Sequence, residues 1–398
     1  MHGIFKKNIW SLVLLLFFFA IAPKVFAQET TKIGEDALKS TNSELDQEAF
    51  DAGNMILEHV TDRHAWHICT IGKRDIEIPL PIILIYQGNL SVFSSARFDK
   101  DGRYENFQLR SQEPYKGKVV AWTQQKGVSP LKEENSISSV VGQDYAVIDP
   151  NLPIDLSITK NVFGLFISSI LLFIVFLMVA QNYKKRGVAA PKGIAAIVEP
   201  IYLFIQNDVV YGNMGKKHGD RFIPYMETLF FFILFANLLG LVPIFPFGAN
   251  LMGNIAVTLC LAAFTFIITM CCSSKTYWRD VFNMPGVPWW MKFPIPLVPL
   301  IEIIEVFTKP LVLMIRLFAN IVAGHIVILG FVFLIFIFGE LSVVLGYVVS
   351  PVSIIFGLFI DALELLVSFI QAYIFTMLSS IYVAGALGYE PVREKKQI

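Results

Sequence analysis

Charge is what this sequence has least of: 16% of its 398 residues are Asp, Glu, Lys or Arg, against about a quarter in a soluble domain. The 32 basic and 32 acidic residues cancel, so no global field directs the chain to nucleic acid or to an acidic substrate. Cysteine is scarce as well. Cys69 stands alone in a polar region, and Cys260, Cys271 and Cys272 share one apolar run without a CxxC spacing. That pattern supports neither a disulfide framework nor a metal centre. No GxxxxGK[ST] loop is present, so no nucleotide chemistry is expected of this chain and no cofactor is implied. What is abundant is apolar: 55% of residues are hydrophobic and the mean hydropathy is +0.60.

The amino end reads as a secretory signal: Lys6 and Lys7, an apolar run from Ile9 to Ala22, then Val25-Phe26-Ala27-Gln28 with small residues at the cleavage point. This predicts a signal peptide over 1–27, with an uncleaved signal anchor as the alternative, and on either reading an extracytoplasmic segment over 28–157. Residues 28–55 are polar and solvated in character. Beyond Ile76, β-prone runs at Ile82 to Tyr86, Leu90 to Phe93, Tyr104 to Leu109 and Val119 to Trp122 alternate with turn residues such as Gln87-Gly88-Asn89, predicting a small, mostly β domain. His59, His64 and His67 lie near one another in sequence, but three histidines without a committed geometry are weak grounds for a metal site.

From 158 to 398 the chain reads as a membrane domain. Apolar stretches at 161–183, 226–247, 251–272, 297–338 and 345–388 predict about five membrane helices of an all-α polytopic protein. The last two far exceed the roughly 20 residues a bilayer needs, so they are expected as a long, tilted hairpin. Lys184, Lys185, Arg186, Lys192, Lys216, Lys217 and Arg221 fall in one loop, Lys275, Arg279 and Lys292 in another, and Arg393, Lys395 and Lys396 in the tail, whereas the loops near 244–253 and 339–350 hold no Lys or Arg. By the positive-inside rule the amino end is expected outside and the carboxyl end in the cytoplasm. Trp289-Trp290 beside Lys292 reads as an interfacial anchor.

Ionisable residues at membrane depth are costly and face a bundle interior or a water-filled cavity. Glu302, Glu305, Lys309, Arg316 and Asn320 fall within about 60° of one another at 100° per residue, whereas His325 lies about 180° from Arg316 and is expected to look toward another partner. Asp361, Glu364, Ser368, Gln371 and Tyr382 fit an arc of about 80° on the last helix. A guanidinium stays protonated at any working pH. Arg316 is therefore a fixed barrier and not a carrier, while His325 and desolvated carboxylates are the groups able to relay protons. A barrier with proton-accessible groups to either side suits a rotary proton motor.

The run Thr308-Lys309-Pro310 through Arg316-Leu317-Phe318-Ala319-Asn320 to Ala323-Gly324-His325 resembles the signature of ATP synthase subunit a, the proton-channel stator of the F-type membrane sector. Glu302, Glu364 with Gln371-Ala372-Tyr373-Ile374-Phe375, Asn237-Leu238-Leu239-Gly240-Leu241-Val242-Pro243 and Asn254 to Leu259 fit the same resemblance, which covers about 240 residues. It implies proton translocation through two offset half-channels against a rotating c-ring, coupled to ATP synthesis, in a bacterial inner membrane, with b subunits of the peripheral stalk and the rest of the ATP synthase as partners. By the same resemblance Arg316 faces the ring, Asn320 and Gln371 stabilise its surroundings, His325 and Glu364 line the outer half-channel and Glu302 the inner one. Some members carry Glu at the position of His325 and His at that of Glu364, which points to a spatial pair. Two other readings compete: a secondary transporter with Arg316 on an anionic substrate, disfavoured because no second copy of that segment exists, and a membrane-anchored binding protein working through 28–157. The bland readings are a structural Arg316 paired to Glu302 or Glu305, and hydrogen-bond glue for Glu364 and Gln371.

Overall fold

The computed structural model describes residues 64–71, 74–98, 102–110, 117–125, 145–148, 152–186, 192–242, 248–282 and 297–388. The expected signal peptide, the polar 28–55 stretch, His59, Trp289-Trp290 and the basic tail lie outside them. The chain divides into two compact units, one ending at Phe163 and one running from Gly164.

The first unit is built of short antiparallel strands. β1 (Ala65–Ile71) pairs with β2 (Arg74–Pro79); β3 (Pro81–Tyr86) lies between β4 (Asn89–Ser94) and β9 (Ile154–Asp155); β5 (Arg103–Tyr104), β6 (Phe107–Leu109), β7 (Val119–Gln125) and β8 (Tyr145–Ile148) form a third sheet. Period-2 alternation drives Ile82 and Leu84 of β3 into a core with Phe93, Phe107, Val119 and Ala121. The β3–β4 hairpin turns at Gln87 and Gly88, both with positive φ (50° and 81°), as a right-twisted two-residue hairpin requires. The run expected as one strand from Tyr104 to Leu109 is broken into β5 and β6 because Glu105 takes a φ of 52°. β1, β2, β8 and β9 lie outside the four expected runs, although Asp75-Ile76-Glu77-Ile78 of β2 alternates polar and apolar residues.

His64 Nε2 stands 2.8 Å from Asp155 Oδ2, while the Ser157 amide donates to Asp155 Oδ1 at 2.8 Å. Burial pushes the Asp155 carboxyl up, but the His64 and Ser157 contacts outweigh it and hold it below the usual range. A lowered folded-state value means that the contribution is fully present above about pH 4 and lost as pH falls through that lower value. Asp155→Asn is therefore expected to loosen β9 by about 1–2 kcal/mol at neutral pH, read as roughly tenfold faster hydrogen exchange at the Leu156 and Ser157 amides; unchanged exchange would remove the pair from the account.

The second unit is helical. α1 spans Lys160–Arg186, α2 Ile194–Phe204, α3 Gly212–Leu241, α4 Ile255–Cys271, α5 Lys275–Phe282, α6 Leu297–Leu341 and α7 Val343–Ala386. Four stretches are long and apolar enough to cross a membrane, and α4 with α5, bent by 102°, supply a fifth if counted as one span. The second of these is longer than the 226–247 stretch suggests: Ile194–Leu241 extends through a π-helical turn at Ile205–Tyr211 and is kinked at Gly215, whose φ of 65° and ψ of 164° leave the helical region. That turn widens the helix and frees the Val209 carbonyl, which accepts from Asn213 Nδ2 at 2.8 Å and from Ser380 Oγ of α7 at 3.0 Å. Leu172 and Val175 of α1, Leu229 to Leu234 of α3, Leu261 of α4, Leu313 and Leu317 of α6 and Phe375 of α7 share one core.

α6 and α7, with 45 and 44 residues, are each about 65 Å long at 1.5 Å per residue. They form a hairpin that closes tightly at its tip, where a Cβ on Gly346 would meet the Gly339 Cα at 2.9 Å.

Candidate functional site

α6 owes its position to one apolar ridge. Leu313, Leu317 and Ile321 recur every four residues and are buried at 1–3% exposure, the spacing at which side chains stack along one helix face. Arg316 falls beside that ridge and faces away from it, exposed among Val312, Ile315, Ala319 and Ala323. Among the described residues no hydrogen bond or ion pair reaches its guanidinium; the nearest charge relationship is electrostatic, with the phenol of Tyr382. Neither Glu302 nor Glu305 pairs with it. Glu305 instead holds Lys309 at 2.9 Å, and the Lys309 ammonium lies 5.8 Å over the Tyr382 ring. This disposes of the structural ion-pair reading of Arg316.

His325 looks to a different partner from Arg316, as its half-turn offset requires. Its Nδ1 lies 3.4 Å from Glu364 Oε1 of α7, with side-chain exposures of 19% and 3%. Gly324 makes the contact possible: a Cβ there would come within 2.8 Å of the Glu364 carboxyl carbon and of Oε1. Because the obstructing group is the free end of a flexible side chain, Gly324→Ala should leave helix packing almost unchanged and displace the carboxyl instead, at about 1 kcal/mol of rotamer strain. The expected result is an assembled protein whose proton pumping in inverted vesicles is markedly slowed; native pumping would show that the carboxyl position is unimportant.

Glu364, Ser368 and Gln371 are buried on one face of α7, whereas Asp361 is exposed. Asn237 Nδ2 of α3 donates to the Ser368 carbonyl at 3.4 Å. Both Glu364 oxygens, Asn237 Oδ1 and Ser368 Oγ are buried and accept or donate no hydrogen bond among the described residues, so this seam offers several sites that a water or a proton can fill. The structure thus joins His325 with Glu364 and leaves Glu302 half-buried lower on α6, within electrostatic reach of Tyr277. No hydrogen bond ties Asn320 or Gln371 to Arg316.

The sequence reading missed Glu227 of α3, which is 2% exposed. Its only sequence signal is that it is the one charged residue within the apolar stretch 226–247. Of the three histidines His59 lies outside the described residues and His64 is held by Asp155; no group of three metal-ligating side chains occurs among the described residues.

Comparison with known proteins bears on the helical unit. The family described as ATP synthase A chain matches residues 162–384, and a domain family of unknown function matches 55–141. The ATP synthase subunit a of Chloroherpeton thalassium is 42% identical over 244 residues, covering 59% of this chain and 68% of the relative. That of Pelodictyon phaeoclathratiforme is 43% identical over 251 residues, 61% of this chain and 69% of the relative. The match extends over the α6 segment around Arg316 and over α7 with Glu364 and Gln371, and on it the chain belongs to the ATP synthase A chain family.

Proposed function

We propose that Arg316 is the fixed charge of a proton-translocating stator working against a rotating ring of carboxylate-bearing subunits. Family membership makes the chain a multi-pass membrane component of ATP synthase and its role that of the membrane sector's proton-translocating stator. The observation that carries the finer reading is the bare guanidinium. Arg316 lies exposed on α6 beside Val312, Ile315 and Ala319, with no carboxylate of the described residues against it. A permanent cation at that depth is expensive unless a partner supplies the counter-charge. A ring carboxylate passing that face meets the need, and a simple pore has no use for the barrier.

In this cycle a proton enters from outside through the Glu364–His325 pair and neutralises a ring carboxylate, which then rotates into lipid. After nearly a full turn the carboxylate releases its proton past Glu302 and, charged again, meets Arg316. Asn320 and Gln371 set the polarity on either side of the arginine. The c-ring and the b subunits of the peripheral stalk are the partners, the amino end lies outside the bacterial inner membrane, and the carboxyl end lies in the cytoplasm. Bond-making chemistry on ATP belongs to other subunits. Residues 1–27 are a signal segment, 28–157 an extracytoplasmic domain and 158–398 the membrane domain.

Cysteine cross-linking tests the ring-facing surface. Ile315→Cys and Ala319→Cys should cross-link to cysteines on the outer helix of the ring, whereas Leu313→Cys and Leu317→Cys, buried at 1% exposure, should not. Cross-links confined to the buried pair would overturn the assignment.

A further inference from the structure

One carboxyl within the membrane segments plays no part in that cycle. Glu227 is 2% exposed, and neither oxygen of its side chain has a hydrogen-bond partner among the described residues. No Lys, Arg or His of the described chain pairs with it. An ionised carboxylate in such surroundings costs several kcal/mol in lost hydration, so the neutral acid is the form the packing accommodates. If the position served packing alone, a leucine or methionine of similar volume would fill it without that cost.

Its neighbours locate it. Asn237 of α3 contacts the Ser368 carbonyl and Tyr225 reaches Ser379 through Thr265, so, counting along the two antiparallel helices, α7 passes Glu227 between about Phe375 and Ser380. Over that interval α7 presents Thr376, Ser379 and Ser380, all completely buried. Ser379 Oγ stands 3.4 Å from Thr265 Oγ1 of α4, which lies 2.8 Å from the Tyr225 hydroxyl. Tyr202 of α2 is within electrostatic reach of Glu227 itself.

Counting back along the antiparallel hairpin from the His325–Glu364 contact, Arg316 stands level with about Tyr373. Glu227 therefore lies on the far side of Arg316 from that pair, toward the end of α7 where Lys309 meets Tyr382.

We propose that Glu227 is a further proton-binding site of the chain, holding one proton as the carboxylic acid where α3 packs beside the buried hydroxyl residues of α7 and exchanging it with the inner aqueous side during turnover. One O–H bond breaks on release and one forms on uptake, with water as the acceptor and donor. The inference rests on the proton-translocating reading above.

Two measurements on the whole ATP synthase test it. In inverted vesicles Glu227→Gln should slow ATP-driven proton pumping roughly tenfold or more, the scale of a lost acid–base group, with assembly intact, and Glu227→Asp should restore part of the rate. Pumping by Glu227→Gln at the native rate overturns the proposal. The native complex, treated with a small hydrophobic carbodiimide, which reacts with neutral buried carboxyls, should show an adduct at Glu227 by peptide mass; no adduct overturns it equally, even if a variant fails to fold. Arg316→Gln in the same vesicles separates the two levels. Normal pumping there sinks the stator reading itself, whereas lost pumping there beside an unaffected Glu227→Gln sinks the Glu227 assignment alone.

Discussion

Arg316→Gln is expected to reduce ATP-driven proton pumping in inverted vesicles to background while the chain still inserts and assembles. Assembly should survive because the guanidinium makes no hydrogen bond or ion pair among the described residues, so its removal leaves no partner stranded. Function should not survive. A unit charge about 4 Å from a carboxylate contributes about 4 kcal/mol at an effective dielectric of 20, a factor approaching 10³ in the preference for a charged carboxylate at that point. Without it, a protonated ring carboxylate can pass and the two half-channels short-circuit. Arg316→Lys keeps the charge but loses the planar fork and should fall between. Pumping near the native rate in Arg316→Gln would rule out the stator mechanism.

The second large effect belongs to the His325–Glu364 pair. Glu364→Gln keeps volume and polarity but removes the exchangeable charge, and about a hundredfold loss of pumping is expected. His325→Ala should cost somewhat less, since Glu364 stays in place 3% exposed. Exchanging the two, with Glu at 325 and His at 364, should recover far more activity than either single exchange, because the 3.4 Å contact is between types and not between positions. A double-mutant cycle on pumping rates measures this directly. Strictly additive losses would show that the two act separately.

Much of this was legible in the chain itself because membrane depth leaves so few ionisable residues to explain. The offset of about half a turn between Arg316 and His325 anticipated that they serve different partners, and His325 does turn to Glu364. The hairpin α6–α7 was readable from apolar length alone. The 102° bend between α4 and α5 was not, since it depends on tertiary contacts such as the Ser274 amide donating to the Ala386 carbonyl at 2.8 Å. Nor was the π-helical turn at Ile205–Tyr211, which no single residue signals and which Asn213 from the adjoining turn and Ser380 from α7 sustain. Glu227 escaped because it sits inside the apolar stretch 226–247, near its start, where a single charge reads as a solvated helix end, and only burial shows that α3 encloses it. The role of Gly324 likewise needed a neighbour that the sequence does not name: the carboxyl that would collide with any larger side chain.

The unaccompanied guanidinium on α6 also bears on how the protein is made. A copy of the chain newly released into the bilayer presents an uncompensated cation to lipid, at a cost of about 3 kcal/mol on insertion scales, together with a long apolar face from Val312 to Ala323. Such a copy is marked as an orphan until other subunits dock. Insertion is accordingly expected to be less costly where a counter-charged partner already stands beside α6 than where lipid does.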